Sequence, residues 1–199
     1  MRIDQVIIKE LLGAREVGLY AAAARISEVW NFIPVIVTNS LFPAILSARS
    51  KDQVLYHDRL QKLYSAMVLV ALVIALPVTL LSDWIVQILY GFAYRDAGPV
   101  LMIHVWAGVF VALGTASSTW LLSENLQWIA LYRTLSGAIA NLVLNMALIP
   151  LYGIVGAAIA TVAGYMLAGF IFDLFNSKTR RMFFMKIDAF CMKGMKFGH

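Results

Sequence analysis

The chain is poor in cysteine and in charged residues. Its single cysteine among 199 residues, Cys191, allows neither an intrachain disulfide nor a metal site built from several cysteines. Asp, Glu, Lys and Arg make up only 14% of the chain, against about 25% in soluble domains. Apolar residues make up 61%, which is more than one aqueous core of this size can bury. The composition therefore argues against a disulfide-stapled module, a disordered tail and a soluble enzyme.

Motifs of catalysis and metal binding are also lacking. The sequence has no Gly-rich phosphate loop, no HExxH and no nucleophile elbow. Its histidines, His57, His104 and His199, are far apart, which is not the spacing of metal ligands. We therefore predict no catalytic residue, no metal site, no cofactor and no enzyme activity. The net charge of +5 does not predict nucleic-acid binding, because the positions of the basic residues along the chain follow the membrane topology predicted below.

Long windows without charge are what the sequence does contain. Residues 29–48, 63–82, 97–123 and 134–172 carry no Asp, Glu, Lys or Arg. A helix needs roughly 20 apolar residues to cross a bilayer, so the fourth window can hold two crossings, joined by a turn at 150–153. The predicted fold is an all-α polytopic membrane bundle with five full crossings, at about 17–47, 63–89, 99–122, 127–149 and 154–175. A soluble helical bundle is the alternative, but most of these windows lack a polar stripe.

The two ends of the chain differ from the predicted five-helix lobe at 17–175. Residues 1–16 contain an apolar stretch closed by Gly13, which indicates the end of a helix followed by a connector. About 12 residues are too few to span, so this stretch resembles the second half of a crossing, and we expect the chain to be a fragment. Residues 176–199 mix basic and bulky apolar residues, which is typical of an amphipathic segment at the membrane surface.

The basic residues predict how the chain is oriented in the membrane. Lys and Arg accumulate on the cytoplasmic side of membrane proteins. They are concentrated in the connection at 48–61 and in the tail after 175, whereas 150–153 is uncharged. We therefore expect the C-terminus in the cytoplasm. The predicted outer stretch 1–16 fits less well, because it carries three basic residues balanced by three acidic ones.

Polar residues within the first crossing are the clearest functional candidates. Arg25 and Glu28 are three residues apart, so they share a helical face and can pair, and Asn31 and Thr38 continue the polar character. Charged groups in a membrane normally face a partner or a watery cavity. Arg25 and Glu28 could therefore line a cavity for an anionic substrate, or they could lie near the outer interface; both interpretations stay open. Pro34 predicts a kink or a break in this helix.

Two asparagines mark the fourth crossing. Asn141 and Asn145 are four apart on one face and could line a solute path, although hydrogen bonding to another helix is the favoured interpretation. In the fifth crossing, Gly156, Ala160, Gly164 and Ala168 form a stripe of small residues that predicts close helix packing. Thr115, Ser117, Ser118 and Thr119 are expected to bond to their own helix backbone.

Three stretches of the sequence form a recognisable pattern. They are residues 2–5, 11–13 and 17–25 with 40–43, then 89–91 with Tyr94 and Ala97, and finally 141–145 with 148–161. In these stretches the chain resembles the C-terminal half of polysaccharide flippases, the exporters of O-antigen and capsule repeat units in the multidrug/oligosaccharidyl-lipid/polysaccharide superfamily. The likeness covers most of residues 2–165, in family order.

This resemblance implies half of a two-lobed carrier in the bacterial inner membrane that flips undecaprenyl-pyrophosphate-linked oligosaccharide. Arg25 matches a cavity-facing positive residue of the family, which suits a pyrophosphate geometrically. The candidate substrate-binding residues are Arg25, Glu28, Asn31, Asn141 and Asn145. The expected partners are the lipid bilayer, the lipid-linked oligosaccharide and a missing N-terminal lobe or separately encoded half. A peptidoglycan-precursor flippase, a cation-coupled drug exporter and a non-transporting membrane scaffold are the alternatives.

Overall fold

The computed structural model describes residues 3–49 and 52–192. Outside these ranges lie four of the basic residues used to predict the orientation, Arg2, Lys51, Lys193 and Lys196, as well as His199. Within the described ranges the chain is all-α, with no strand. The α-helices are α1 (Ile3–Leu12), α2 (Ala14–Glu28), α3 (Phe32–Arg49), α4 (Gln53–Tyr90), α5 (Gly98–His104), α6 (Ala107–Ser123), α7 (Gln127–Met166), α8 (Phe172–Phe175) and α9 (Arg180–Phe190).

Three helical stretches of the described chain are long and apolar enough to cross a membrane: Ala14–Arg49, Gln53–Tyr90 and Gln127–Phe175. A fourth is obtained if the bent pair Phe92–His104 and Ala107–Ser123 counts as one span. Large apolar side chains cover the outer surface; Leu80, for example, is 83% exposed. Such a surface matches a lipid environment, so the protein is a multi-pass membrane protein.

The last of these stretches folds back on itself. Gly153 has φ +60°, a conformation that L side chains rarely adopt, and breaks α7 at the turn predicted for 150–153. A Cβ on Gly137 would lie 2.6 Å from the Cβ of Ala168, although 31 residues of straight helix would separate them by about 46 Å. The stretch therefore consists of two packed legs, 127–152 and 154–175. The small-residue stripe packs closely, as predicted, but a count of five crossings stays a prediction.

The predicted crossing at 99–122 is not one straight helix. The chain forms two helices, α5 and α6, bent by 42° at Val105 and Trp106. The end of α5 is held by His104, whose Nδ1 lies 2.6 Å from the hydroxyl of Ser27 on α2. This buried contact orients α5 towards α2, a preference that the uniformly apolar window could not reveal.

Two predicted features near the start of the chain are confirmed. Gly13 closes α1 in a left-handed conformation, φ +97°, and its N–H donates to the carbonyls of Ile8 and Lys9. A break also interrupts the first span, as a 3₁₀ turn at Val29–Asn31. It falls just before Pro34, which has no N–H to donate to the preceding turn.

Helix α9 is docked onto the bundle by a buried ion pair. The Nζ of Lys186 lies 2.5 Å from Oδ2 of Asp173 and 2.6 Å from the carbonyl oxygen of Gly169, and both charged side chains are fully buried. Burial lowers the pKa of Lys186 to about 8, although Asp173 acts in the opposite direction. Asp173 lies near the end of the last span, but α9 covers this end, so the carboxylate is buried.

We predict that Lys186→Met destabilises the fold far more than a surface lysine change. It leaves Asp173 buried without its partner, which costs about 3–5 kcal/mol. The matched control is Lys62→Met, which removes the exposed Lys62–Asp58 pair, 2.8 Å apart; exposed pairs contribute at most about 1 kcal/mol. Thermal unfolding of the purified protein in detergent measures both changes. Equal losses of stability would contradict the proposed docking role of the pair.

Close packing of the two legs predicts a difference in stability between two Gly→Ala variants. Gly137→Ala places a Cβ 2.7 Å from the carbonyl oxygen of Gly164 as well as against Ala168, so it should destabilise by about 1–3 kcal/mol. Gly18→Ala in α2 is the control. A Cβ at this position would have no neighbour within 4 Å, and Ala favours a helix. The same unfolding assay should separate the two variants. A neutral Gly137→Ala would show that the legs are not in tight contact.

Candidate functional site

A polar cavity lies between α1, α2 and the second leg of α7. Its volume is about 260 Å³. Its walls are formed by Asp4, Gln5, Tyr20, Ala21, Ala24, Arg25, Glu28 and Thr161. Three of these side chains carry a formal charge: the guanidinium of Arg25 and the carboxylates of Asp4 and Glu28. The cavity is therefore strongly polar, in contrast to the apolar outer surface of the bundle.

Arg25 and Glu28 lie together on the cavity wall, on the shared helical face that their spacing predicts. Both are exposed to the cavity. No hydrogen bond or ion pair among the described residues joins them, so the predicted pairing is not found. An open polar cavity explains this result, because solvated charges gain little from direct contact. The guanidinium of Arg25 is therefore available to a ligand.

A buried hydrogen-bond network forms the floor of this cavity. The Asp4 carboxylate, whose residue is 2% exposed, accepts at Oδ2 from the hydroxyls of Tyr20, at 3.0 Å, and Thr161, at 3.2 Å. Thr161 in turn accepts from Nδ2 of Asn141 at 3.4 Å, and Asn145 donates to Oδ1 of Asn141 at 3.1 Å. The network ties α1, α2 and both legs of α7 together, so it positions the helices that carry the cavity.

The five candidates from the sequence fall into three places. Arg25 and Glu28 share the cavity, whereas Asn141 and Asn145 are buried behind Thr161 and reach it only through the network. Asn141 thus makes the interhelical bond that is favoured for it, with Thr161 on the other leg, whereas Asn145 bonds only to Asn141 on its own leg. Asn31 lies elsewhere, beside a small cavity of about 20 Å³ lined also by Ser27, Trp30 and Pro34.

Sequence reasoning missed three residues of the site. Asp4 was treated only as a charge balancing nearby basic residues, and Tyr20 and Thr161 were not considered. A local signal existed for Asp4, since it is four residues from the buried Ile8 on the same helical face. For Thr161 the signal was its neighbour in the sequence, Ala160, which belongs to the small-residue stripe that packs against the first leg.

Oxygen atoms without a partner remain in the network. They are Oδ1 of Asp4 and Oδ1 of Asn145, and a proton donor or a hard cation would satisfy such oxygens. The described residues contain no group of three or more His, Cys, Asp or Glu side chains that could hold a metal ion.

Comparison with known proteins identifies the class. The family model described as "Lipid II flippase MurJ" matches residues 13–195. A "Probable flippase AglR" of Haloferax volcanii is 30% identical over 177 residues, which is 85% of this chain and 36% of that protein. No solved structure matches the chain.

Two further relatives agree with this class. The "Probable low-salt glycan biosynthesis flippase Agl15" of Haloferax volcanii is 26% identical over 82% of this chain and 35% of its own length. The "Uncharacterized membrane protein MJ1068" of Methanocaldococcus jannaschii is 32% identical over 50% of this chain and 20% of its own length.

The chain thus spans about a third of the length of the two flippases it matches. Members of this family are transporters rather than enzymes, in agreement with the all-helical membrane fold. Because the family match extends over most of its residues, the chain belongs to the MurJ family of lipid-linked glycan flippases.

Proposed function

We propose that this chain forms one lobe of a carrier that moves a lipid-linked oligosaccharide across the membrane. The observation that supports this function is the unpaired guanidinium of Arg25 in the polar cavity. Anions need such a group, because a phosphate leaving water for the bundle must exchange its hydration for protein donors. Arg25 would hold the phosphate groups that link the lipid to the sugar.

The chemistry of the cavity is compatible with an anion despite its two carboxylates. Oδ2 of Asp4 already accepts from Tyr20 and Thr161, and Asp4 is buried in the floor. Glu28 stands one turn along α2 from Arg25 and makes no bond to it, so it leaves the guanidinium available to the substrate. A planar guanidinium can bond two phosphate oxygens at once, which suits a diphosphate.

The substrate we propose is an undecaprenyl-pyrophosphate-linked oligosaccharide for polysaccharide synthesis, such as an O-antigen unit, carried from the cytoplasmic to the outer leaflet of a bacterial inner membrane. The description of the matching family names lipid II, which favours a peptidoglycan precursor as the second candidate. The name of one relative refers to glycan biosynthesis. All of these substrates present a lipid-linked phosphate to Arg25 and differ in the sugar.

Transport would require a second lobe. Alternating access moves one helical bundle against another around a central site, and the related flippases are about three times as long as this chain. We propose that Arg25 faces that other lobe across the cavity, with α9 on the cytoplasmic side.

A cation-coupled exporter is the alternative that one observation favours. The lining of the cavity contains two carboxylates, Glu28 and Asp4. Two carboxylates beside one arginine give the lining a formal charge of −1, which would attract a cationic substrate or ion. The experiments below therefore separate the role of Arg25 from that of Glu28.

We predict that Arg25→Ala abolishes or strongly reduces glycan export in the cell that encodes this protein. Loss of a charge-assisted hydrogen bond costs about 1.5–3 kcal/mol, which is roughly a 10- to 150-fold loss of substrate affinity. Surface glycan and accumulated lipid-linked precursor are measured together with the amount of protein in the membrane. Arg25→Lys should recover only part of the export, because it keeps the charge and loses the planar fork.

The control for this experiment is Arg15→Ala. Arg15 is on the same helix, but it is exposed and bonds to Asp96 at the surface, with an Nη2–Oδ2 distance of 3.4 Å. Normal glycan display with Arg25→Ala would overturn the proposal. Intact display with disturbed assembly of the biosynthetic enzymes would instead indicate a non-transporting scaffold.

Glu28→Gln should have a smaller effect than Arg25→Ala. It removes a negative charge near the proposed phosphate site, so the affinity for an anionic substrate should be retained or increased. The same export assay checks this prediction, with drug susceptibility measured in parallel. Loss of drug efflux with unchanged glycan export would indicate the cation-coupled exporter.

A further inference from the structure

A second cavity, of about 200 Å³, lies between α6 and the two legs of α7, away from the Arg25 cavity. Arg133, at the start of the first leg, lines it and is only 3% exposed. Nη2 of Arg133 donates to the carbonyl oxygen of Gly114, at 3.0 Å, and to the hydroxyl of Ser118, at 2.6 Å. These two bonds fix the orientation of the guanidinium.

Donors without acceptors surround this cavity. Nη1 of Arg133 is buried and has no hydrogen-bond partner. The Ser118 hydroxyl accepts from Arg133 and keeps its own proton for another acceptor. Unlike its neighbours in α6, it does not bond to its helix backbone. Tyr165 lines the cavity from the second leg.

The charge balance of this end of the bundle also favours an anion. Behind the cavity wall at Gly169, Lys186 is paired with Asp173. That pair is neutral, so Arg133 is left as a buried positive charge without a bonded counter-ion. Buried charges are stable only when they are paired or hydrogen-bonded. An anion in the cavity would supply the missing partner.

The depth of the cavity in the bundle suggests the form of the anion. Arg133 lies six residues, about 9 Å, from the first residue of α7. Trp128 and Tyr132, one turn apart on α7, are 65% and 59% exposed, and such aromatic residues are typical of the level of the lipid headgroups. Basic pockets between helices at this level bind phosphate-bearing headgroups.

We infer that the Arg133 cavity binds a phosphate group, with Arg133 and Ser118 as donors. This binding site is independent of the proposed transport through the Arg25 cavity. Two sources offer the same chemistry, a phospholipid headgroup at the membrane surface and soluble phosphate from the cytoplasm.

The experiment measures ligands of the purified chain in detergent by native mass spectrometry and thermal unfolding. The probes are phosphatidylglycerol, diacylglycerol with the same acyl chains but no phosphate, and inorganic phosphate. We expect phosphatidylglycerol to bind and diacylglycerol not to bind. Arg133→Gln should weaken phosphatidylglycerol binding about tenfold or more, as expected for a lost charge-assisted bond.

Matched variants separate binding from folding and from general charge. Arg181→Gln removes one positive charge from the exposed face of α9 and should leave binding unchanged. Ser118→Ala keeps Arg133 and should weaken binding by an intermediate factor, even if Arg133→Gln fails to fold. Arg25→Gln should not affect binding, so a failure of the proposed transport function would not affect this result.

Each outcome decides the inference. Binding of phosphatidylglycerol that depends on Arg133 supports a headgroup site, and stabilisation by inorganic phosphate that depends on Arg133 supports a site for the soluble anion. Equal binding of phosphatidylglycerol and diacylglycerol, or binding that Ser118→Ala leaves intact, would overturn it. So would the absence of any effect of both phosphate probes on the wild-type chain.

Discussion

The bundle depends on one constraint: a polar group surrounded by lipid must find its partner inside the protein. Apolar contacts between helices do not by themselves choose a neighbour, because lipid tails offer the same surface. Hydrogen bonds do choose, since a buried group without a partner is costly. In this chain the polar groups therefore determine which helices meet, and the close approach of small residues makes that contact tight.

The helical leg at 154–175 takes part in three of these polar contacts. Its residues Thr161, Tyr165, Gly169 and Asp173 are spaced four apart in the sequence, across a π-helical turn at Leu167–Ile171. Thr161 belongs to the floor of the Arg25 cavity, Tyr165 lines the Arg133 cavity, and the last two hold Lys186. This leg thus links the candidate substrate site, the proposed phosphate site and the docking of α9.

The two arginine sites differ in a way that suits different tasks. Arg25 is exposed to an open cavity and has no fixed partner, which leaves it free to bind and release a ligand during transport. Arg133 is buried, and two hydrogen bonds hold its guanidinium in one orientation. Such a preorganised group favours a resident ligand, because little conformational entropy is lost on binding.

The sequence by itself determined what depends on neighbouring residues and on average polarity. It predicted the membrane class, the end of α1 at Gly13, the turn before Gly153 and the small-residue packing, because each follows from composition or from contacts within a few residues. It also placed Arg25 and Glu28 on one face. Tertiary structure decided the rest. Asp4 meets Thr161 across 157 positions of the chain and Arg133 meets Gly114 from another helix, and no local rule states which helices will be adjacent.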